Sequence, residues 1–119
     1  MSRKKSEANI SGWLSARPDS KEKRFIQVGN SLLLSGTFQK LSSGARYTYF
    51  CMAMESGGKR DFIFPLSAAK KYGIAKNSIG RHITELIEAN FITMQSGKIV
   101  RQPNLYSFSF EWKSQETDK

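Results

Sequence analysis

One predicted helix of this chain carries polar side chains of the types that pair with nucleic-acid bases. Lys76, Asn77, Ser78, Arg81 and Thr84 share the side of the helix that lies opposite its apolar residues. An arginine side chain can donate two parallel hydrogen bonds to guanine, and an asparagine side chain can pair in the same two-bond manner with adenine. This set of side chains therefore favours the recognition of base edges.

Basic residues that can contact phosphate precede and follow this helix. Lys70 and Lys71 precede it in a shorter predicted helix, and Lys98 and Arg101 follow it in a polar, turn-rich segment. The chain has 19 Lys and Arg against 10 Asp and Glu, a net charge of +9. A basic surface of this size favours polyanions such as nucleic acid. The nine predicted DNA-binding residues are thus Lys70, Lys71, Lys76, Asn77, Ser78, Arg81, Thr84, Lys98 and Arg101.

The same residues also have interpretations that involve no ligand. Arg81 precedes Glu85 by one helical turn, a spacing that equally predicts a surface ion pair. The basic residues outside the helix are equally consistent with ordinary solvated side chains. His82 is isolated beside the apolar stripe, so we interpret it as a packing or surface residue and not as a ligand. The sequence leaves the alternatives for Arg81 and the lysines open.

Residues for catalysis or metal binding are not assembled in this sequence. His82 and Cys51 are far apart and have no third partner at zinc-ligand spacing. Gly57 and Gly58 lack the surrounding pattern of a phosphate-binding loop, and the acidic residues are scattered. We therefore predict no catalytic residue, no metal and no cofactor, and we expect that the protein is not an enzyme.

The predicted helix lies within a series of short elements. A strand over residues 61–64 stops at Pro65, and a short helix over residues 68–72 begins with Ser67 as its cap. Gly73 suits the left-handed position that follows this helix. The second helix covers residues 76–89 and ends at Asn90, which also suits a left-handed cap. Its apolar side is formed by Ile79, Ile83, Leu86 and Ile87.

The flanking segments give weaker patterns. We predict a strand over residues 25–28, one or two helical turns over 35–41 and a strand over 91–95. A helix is predicted over residues 45–55, with a buried face formed by Tyr47, Phe50, Cys51 and Met54. A half-buried strand is predicted over residues 106–112, with one face formed by Tyr106, Phe108, Phe110 and Trp112.

The chain divides into a basic arm, one domain and a short tail. Residues 1–24 carry seven basic and three acidic residues, a net charge of +4, and we expect them to be disordered or extended in isolation. They form either a solvated tail or an arm that lies along DNA, and the apolar pair Trp13-Leu14 within them suits docking either on the domain or on a protein partner. Residues 25–113 form the domain and residues 114–119 a polar tail. A single cysteine and no apolar run of membrane-spanning length predict a cytoplasmic protein that does not enter a membrane.

The order helix, strand, helix, turn, helix, strand, polar loop, strand resembles the winged helix-turn-helix fold. The segment YGIAKNSIGRHITELIEANFI, residues 72–92, carries the resemblance, and it is most similar to domains of replication, partition or transfer proteins of bacterial mobile elements. The resemblance implies an α+β fold with a three-helix core, a small antiparallel sheet and a C-terminal wing hairpin. It also implies that Lys70 and Lys71 contact the phosphate backbone and that Lys98 and Arg101 belong to the wing.

From these features we expect a sequence-preferring protein that binds double-stranded DNA. It would be a replication or transfer accessory factor of a plasmid or mobile element, or a transcriptional regulator, with two copies on a repeated site. A protein-interaction module without DNA specificity is the first alternative, and RNA binding is the second. Binding to DNA should weaken steeply as salt rises, because protein contacts to phosphate release counterions. Within a DNA-binding protein, Arg81→Ala should relax base preference, whereas Lys98→Ala should weaken binding to all sequences alike.

Overall fold

Six helices and two small antiparallel sheets form the described part of the computed structural model, which covers residues 14–17, 25–97 and 103–116. The helices are α1 (Asn30–Leu33), α2 (Gly36–Gln39), α3 (Ser43–Ser56), α4 (Leu66–Lys71), α5 (Lys76–Glu88) and α6 (Glu111–Glu116). The strands are β1 (Leu14–Arg17), β2 (Phe25–Val28), β3 (Asp61–Ile63), β4 (Ile92–Gln95) and β5 (Leu105–Phe108). Within these described ranges, no helix is long and apolar enough to cross a membrane.

The larger sheet has three strands in the order β3-β5-β4, and both pairs are antiparallel. Phe62 of β3 and Met94 of β4 both lie opposite Tyr106 of β5. Because side chains alternate along a strand, this register puts Phe62, Tyr106 and Phe108 on one face, where all three are buried. Helices cover that face, so the α+β class predicted from the sequence is confirmed.

Helix α3 lies at the centre of the core and is buried on several sides. It contacts the β1–β2 hairpin, β3 and α5. The predicted buried face of this helix is confirmed only at Cys51, because Tyr47 is 50% exposed and Phe50 and Met54 are half-buried. Partners on several sides bury residues around the helix, namely Ala45, Thr48, Tyr49, Cys51, Met52, Ala53 and Ser56. Burial raises the pKa of the Cys51 thiol, more than its hydrogen bond with Tyr47 lowers it.

Aromatic rings from five elements or their flanks meet beside α3. Tyr49 packs edge-on against Phe91 and Phe108, with ring centroids 5.3 and 5.6 Å away. Phe91 also contacts Phe38 at 5.8 Å and stacks on Trp112 at 5.1 Å. Large aromatic side chains bury the most apolar surface per residue, so this cluster supplies much of the hydrophobic stabilisation.

The C-terminal strand is shorter than the sequence pattern predicts. It ends at Phe108, and α6 begins at Glu111, so Trp112 is helical and not part of a strand. The backbone N–H of Ser109 donates to the backbone carbonyl of Phe91, and the Ser109 hydroxyl accepts from the N–H of Glu111 at 3.2 Å. This turn redirects the chain while the tryptophan still reaches the core. Helix α6 extends to Glu116 and so includes the first three residues of the predicted polar tail.

Two short segments near the start of the domain are better defined in the structure than in the sequence. Leu14–Arg17 lies within the predicted basic arm and forms a strand, which pairs with Phe25–Val28 and so supplies hydrogen-bond partners for that strand. The rest of the arm, including Trp13, lies outside the described residues. The helical turn predicted over residues 35–41 is confirmed as α2, where the Ser35 hydroxyl caps the helix by accepting from the N–H of Phe38 at 3.1 Å. The preceding helix α1 was not predicted.

The contact between α3 and α5 depends on a glycine. The ring of His82 on α5 lies against Gly44 on α3, and a Cβ added at Gly44 would overlap with that ring. His82 is only 9% exposed, so its interpretation as a packing residue is confirmed. The absence of a side chain at position 44 thus sets how closely the two helices approach.

We predict that Gly44→Ala lowers the free energy of unfolding by about 1 to 3 kcal/mol, because the new methyl group must displace the imidazole or the helix. Gly36→Ala is the matched control, since a Cβ there meets no atom within 4 Å. Urea unfolding followed by circular dichroism measures both variants. Equal stability of the two would show that the α3–α5 spacing does not depend on Gly44.

Candidate nucleic-acid interface

The turn between α4 and α5 is held by backbone hydrogen bonds around one left-handed residue. Gly73 has a φ of 77°. Its N–H donates to the backbone carbonyl of Lys70, and the N–H of Ile74 donates to the backbone carbonyl of Ala69 at 2.9 Å. This is the hydrogen-bond pattern of a Schellman motif, as Gly73 predicts. The predicted cap at Ser67 is wrong: α4 begins at Leu66, because Pro65 occupies the cap position and its carbonyl accepts from Ala68 and Ala69.

Three polar contacts fix the end of α4 to α3. The hydroxyl of Tyr47 donates to the carbonyl of Tyr72 at 2.8 Å, and the hydroxyl of Tyr72 donates to Glu55 at 2.9 Å. Lys71 forms an ion pair with the same Glu55 oxygen at 2.8 Å, and its ammonium lies 5.2 Å from the Tyr72 ring centroid. The ammonium of Lys71 is therefore paired with Glu55 of α3, whereas Lys70 is exposed beside the turn.

Helix α5 presents one polar side to solvent. It covers Lys76–Glu88, within one residue of the prediction, and Asn90 follows it with φ of 68° in the left-handed conformation expected. The N–H of Phe91 donates to Leu86 at 3.0 Å, which completes a second Schellman motif. The outward set consists of Lys76, Asn77, Gly80, Arg81 and Thr84, all exposed. Ser78 is only half-buried, at the margin of this set.

Glu85 of α5 binds the beginning of α3 and not Arg81. Its carboxylate accepts from the backbone N–H of Ser42 at 2.6 Å and from the Ser42 hydroxyl at 2.8 Å. In the part of the chain that the structure describes, no ion pair joins Arg81 to any acidic residue. The interpretation of Arg81 as half of a surface ion pair therefore has no support, and its guanidinium faces solvent.

The predicted DNA-binding residues fall into three groups. Asn77, Arg81 and Thr84 lie on the outer side of α5 with half-buried Ser78 at their margin, whereas Lys70 and Lys76 line one groove between α4 and α5. Lys71 points to the other side of α4, against Glu55. Two members of the predicted set, Lys98 and Arg101, lie outside the described residues.

Sequence reasoning missed several residues that shape this surface. Leu66 is 54% exposed at the margin of the groove, although it lies between buried Phe64 and Ala68 in the sequence. Glu55 and Glu85 hold neighbouring elements in place through partners that are distant in the chain. Local spacing carries no signal for such contacts, since Ser42 and Glu85 are 43 positions apart.

Among the described residues, no group of three or more His, Cys, Asp or Glu side chains is placed to hold a metal ion. Comparison of the chain with protein-family models, with curated proteins and with solved structures found no match. The exposed polar side of α5 and the adjacent lysines are the features that carry the functional argument.

We predict that Glu85→Ala lowers the free energy of unfolding by about 1 to 2 kcal/mol, because Ser42 loses a charged hydrogen-bond acceptor at the start of α3. Glu88→Ala is the control, since Glu88 lies one turn later and is exposed. Chemical denaturation should leave the Glu88 variant within about 0.5 kcal/mol of the parent protein. A Glu85 variant of unchanged stability would contradict a structural role for these hydrogen bonds.

Proposed function

We propose that this protein is a sequence-preferring double-stranded DNA-binding protein with a winged helix-turn-helix fold. The observation that carries the proposal is the exposed polar side of α5, on which Arg81 has no acidic partner among the described residues and stands beside Asn77 and Thr84. An unpaired arginine and an asparagine on one exposed helix face are well suited to base edges in a major groove.

The architecture supports the fold part of the proposal. The elements α3, β3, α4, α5, β4 and β5 follow one another in the order that the winged-helix resemblance implies. Strand β5 lies between β3 and β4, so β4 and β5 form the hairpin that would be the wing. The connection between α4 and α5 is a tight turn, held by Gly73 and its two hydrogen bonds.

In the proposed mechanism, α5 enters the major groove and α4 lies across the phosphate backbone. Arg81 would pair with guanine and Asn77 with adenine, and each good pair contributes about 1 to 3 kcal/mol of discrimination. Lys70 and Lys76 would contact phosphates on either side of the turn and provide affinity without sequence preference. Lys71 contributes less in this mechanism, because Glu55 already neutralises it.

Two cellular roles fit this mechanism. One is an accessory factor in the replication or transfer of a plasmid or mobile element, and the other is a transcriptional regulator. A single α5 reads only a short site, so we propose that two copies bind an inverted or direct repeat. The symmetry of the preferred site distinguishes one bound copy from two.

We predict that the protein selects a defined motif from a pool of random duplexes and that Arg81→Ala weakens discrimination at one guanine of that motif. The expected loss is about 5- to 100-fold, the equivalent of one bidentate pair. Competitive fluorescence anisotropy with single-base variants of the selected site measures it. Affinity of the parent protein should also fall by about tenfold or more between roughly 50 and 200 mM salt.

Lys40→Ala is the control for this experiment, because Lys40 is exposed at the C-terminal cap of α2 and outside the proposed interface. It should leave base preference unchanged. If Arg81→Ala retained the full preference of the parent protein, another part of the chain would be the reader. An affinity that did not change with salt, or a pool without any enriched motif, would contradict the proposed function itself.

We predict that Gly80→Ala stabilises the protein but weakens its binding to the selected duplex. Gly80 is exposed in the middle of α5, and a Cβ there meets no atom of the described residues within 4 Å. Alanine should therefore add up to about 1 kcal/mol to the free energy of unfolding through helix propensity. The added methyl group would, however, separate α5 from a closely approaching base pair.

Thermal unfolding and anisotropy on the same variant separate these two effects. Gly36→Ala, which also fills open space but lies in α2, should leave DNA affinity unchanged. A Gly80 variant that is stabilised and binds as tightly as the parent protein would show that this turn of α5 does not touch the duplex.

A further inference from the structure

A groove with an apolar floor lies between α4 and the start of α5. Its volume is about 440 Å³, and Leu66, Ala69 and Ile74 contribute its apolar surface. Lys70 and Lys76 lie on its margins, both exposed. Among the described residues, the lining thus combines a hydrophobic floor with two cations and includes no acidic residue.

Leu66 is the unusual member of this lining. It is 54% exposed at the first position of α4, whereas Ala68 and Ala69 on the same helix are buried. Leu66 also lines a second groove of about 250 Å³, together with Pro65 and Ile83. An exposed leucine between two grooves forms a continuous apolar surface, and such surfaces mark sites of protein contact when charged residues surround them.

The positive charges of Lys70 and Lys76 favour a negatively charged partner. Neither Lys70 nor Lys76 has an ion-pair partner among the described residues, in contrast to Lys71 with Glu55. Two unpaired ammonium groups beside an apolar floor are complementary to carboxylates that flank an apolar side chain. A phosphate backbone would satisfy the lysines, but it has no apolar group that would fill the floor beside Leu66.

We propose that this groove docks an acidic peptide segment of a partner protein. One apolar side chain of the segment inserts between Leu66 and Ile74, and neighbouring carboxylates pair with Lys70 and Lys76. The rest of the domain does not need to move, because the groove is already formed.

Binding of the acidic segment to this groove would also prevent DNA from binding to the surface that we propose for it. Lys70 and Lys76 are the phosphate contacts of the proposed mechanism, so one occupant excludes the other. This competition rests on the proposed function, whereas binding of the acidic segment to the groove does not. The partner would act as an inhibitor that releases the protein from its site.

The test uses an array of 12-residue peptides of Asp and Glu with Leu, Ile, Met, Phe or Trp at the centre. We expect at least one of them to bind the full chain with a Kd below about 1 mM in fluorescence anisotropy at physiological salt. Replacing its central residue with Ala, or its acids with Asn and Gln, should each weaken binding by about tenfold.

Variants of the protein locate the site. Leu66→Ser and Leu66→Gln should weaken peptide binding about tenfold, and Lys70→Ala with Lys76→Ala should do the same. The matched controls are Ile63→Ser, at a residue that is 45% exposed on the sheet, and Lys59→Ala, at an exposed lysine. Neither lines the groove, so both should bind within about twofold of the parent protein.

Three results would overturn the inference. The first is an array without any binder, and the second is binding that the Leu66 variants leave unchanged. The third is that the parent protein binds no peptide while the Leu66 variants lose duplex binding. That result would assign the groove to DNA. If the parent protein bound the peptide but no duplex, the proposed function would fail while the docking site stood.

Discussion

The packing of α5 against α3 is the constraint on which the rest of this structure depends. The imidazole of His82 lies against Gly44 and sets the separation of the two helices, because any side chain at position 44 would occupy the same space. The carboxylate of Glu85 binds Ser42 through two hydrogen bonds and fixes α5 along the α3 axis. Separation and register together determine which side of α5 faces solvent. The direction of Arg81, and so the whole candidate interface, follows from these two contacts.

Helix α4 is positioned by a different set of interactions. The Schellman motif at Gly73 fixes the angle between α4 and α5, and the contacts of Tyr47, Glu55 and Tyr72 hold its end on α3. One consequence is that two adjacent lysines differ in role, since Lys71 is paired and Lys70 is not. Another is the apolar groove between the two helices, where Gly73 and Ala75 of the turn add no large side chain to the lining. The same geometry thus supports both the proposed DNA surface and the proposed docking site.

The accuracy of the sequence predictions differed between elements for physical reasons. The bounds of α5 were predicted to within one residue, because Gly73 and Asn90 are left-handed caps whose preference is local. The buried face of α3 was predicted correctly only at Cys51, because a helix with partners on several sides has no single apolar stripe. The alternation of aromatic and polar residues near the C-terminus continues past the end of β5. It does so because Trp112 is buried from a helix, yet its position in the sequence fits the spacing of buried strand residues. Leu14–Arg17 forms a strand only because Phe25–Val28 is there to pair with it.

The sequence by itself determined the basic character of the chain, the spacing of α4, its turn and α5, the polar side of α5 and the presence of short strands around them. These follow from composition, from periodicity and from residues whose backbone preferences act over a few positions. Only the tertiary structure decided that Glu85 binds Ser42 and leaves Arg81 unpaired, that Lys71 is held by Glu55, and that Leu66 is exposed beside a groove. Each of these depends on a partner that is distant in sequence, and spacing along the chain holds no information about which distant side chains the fold brings together.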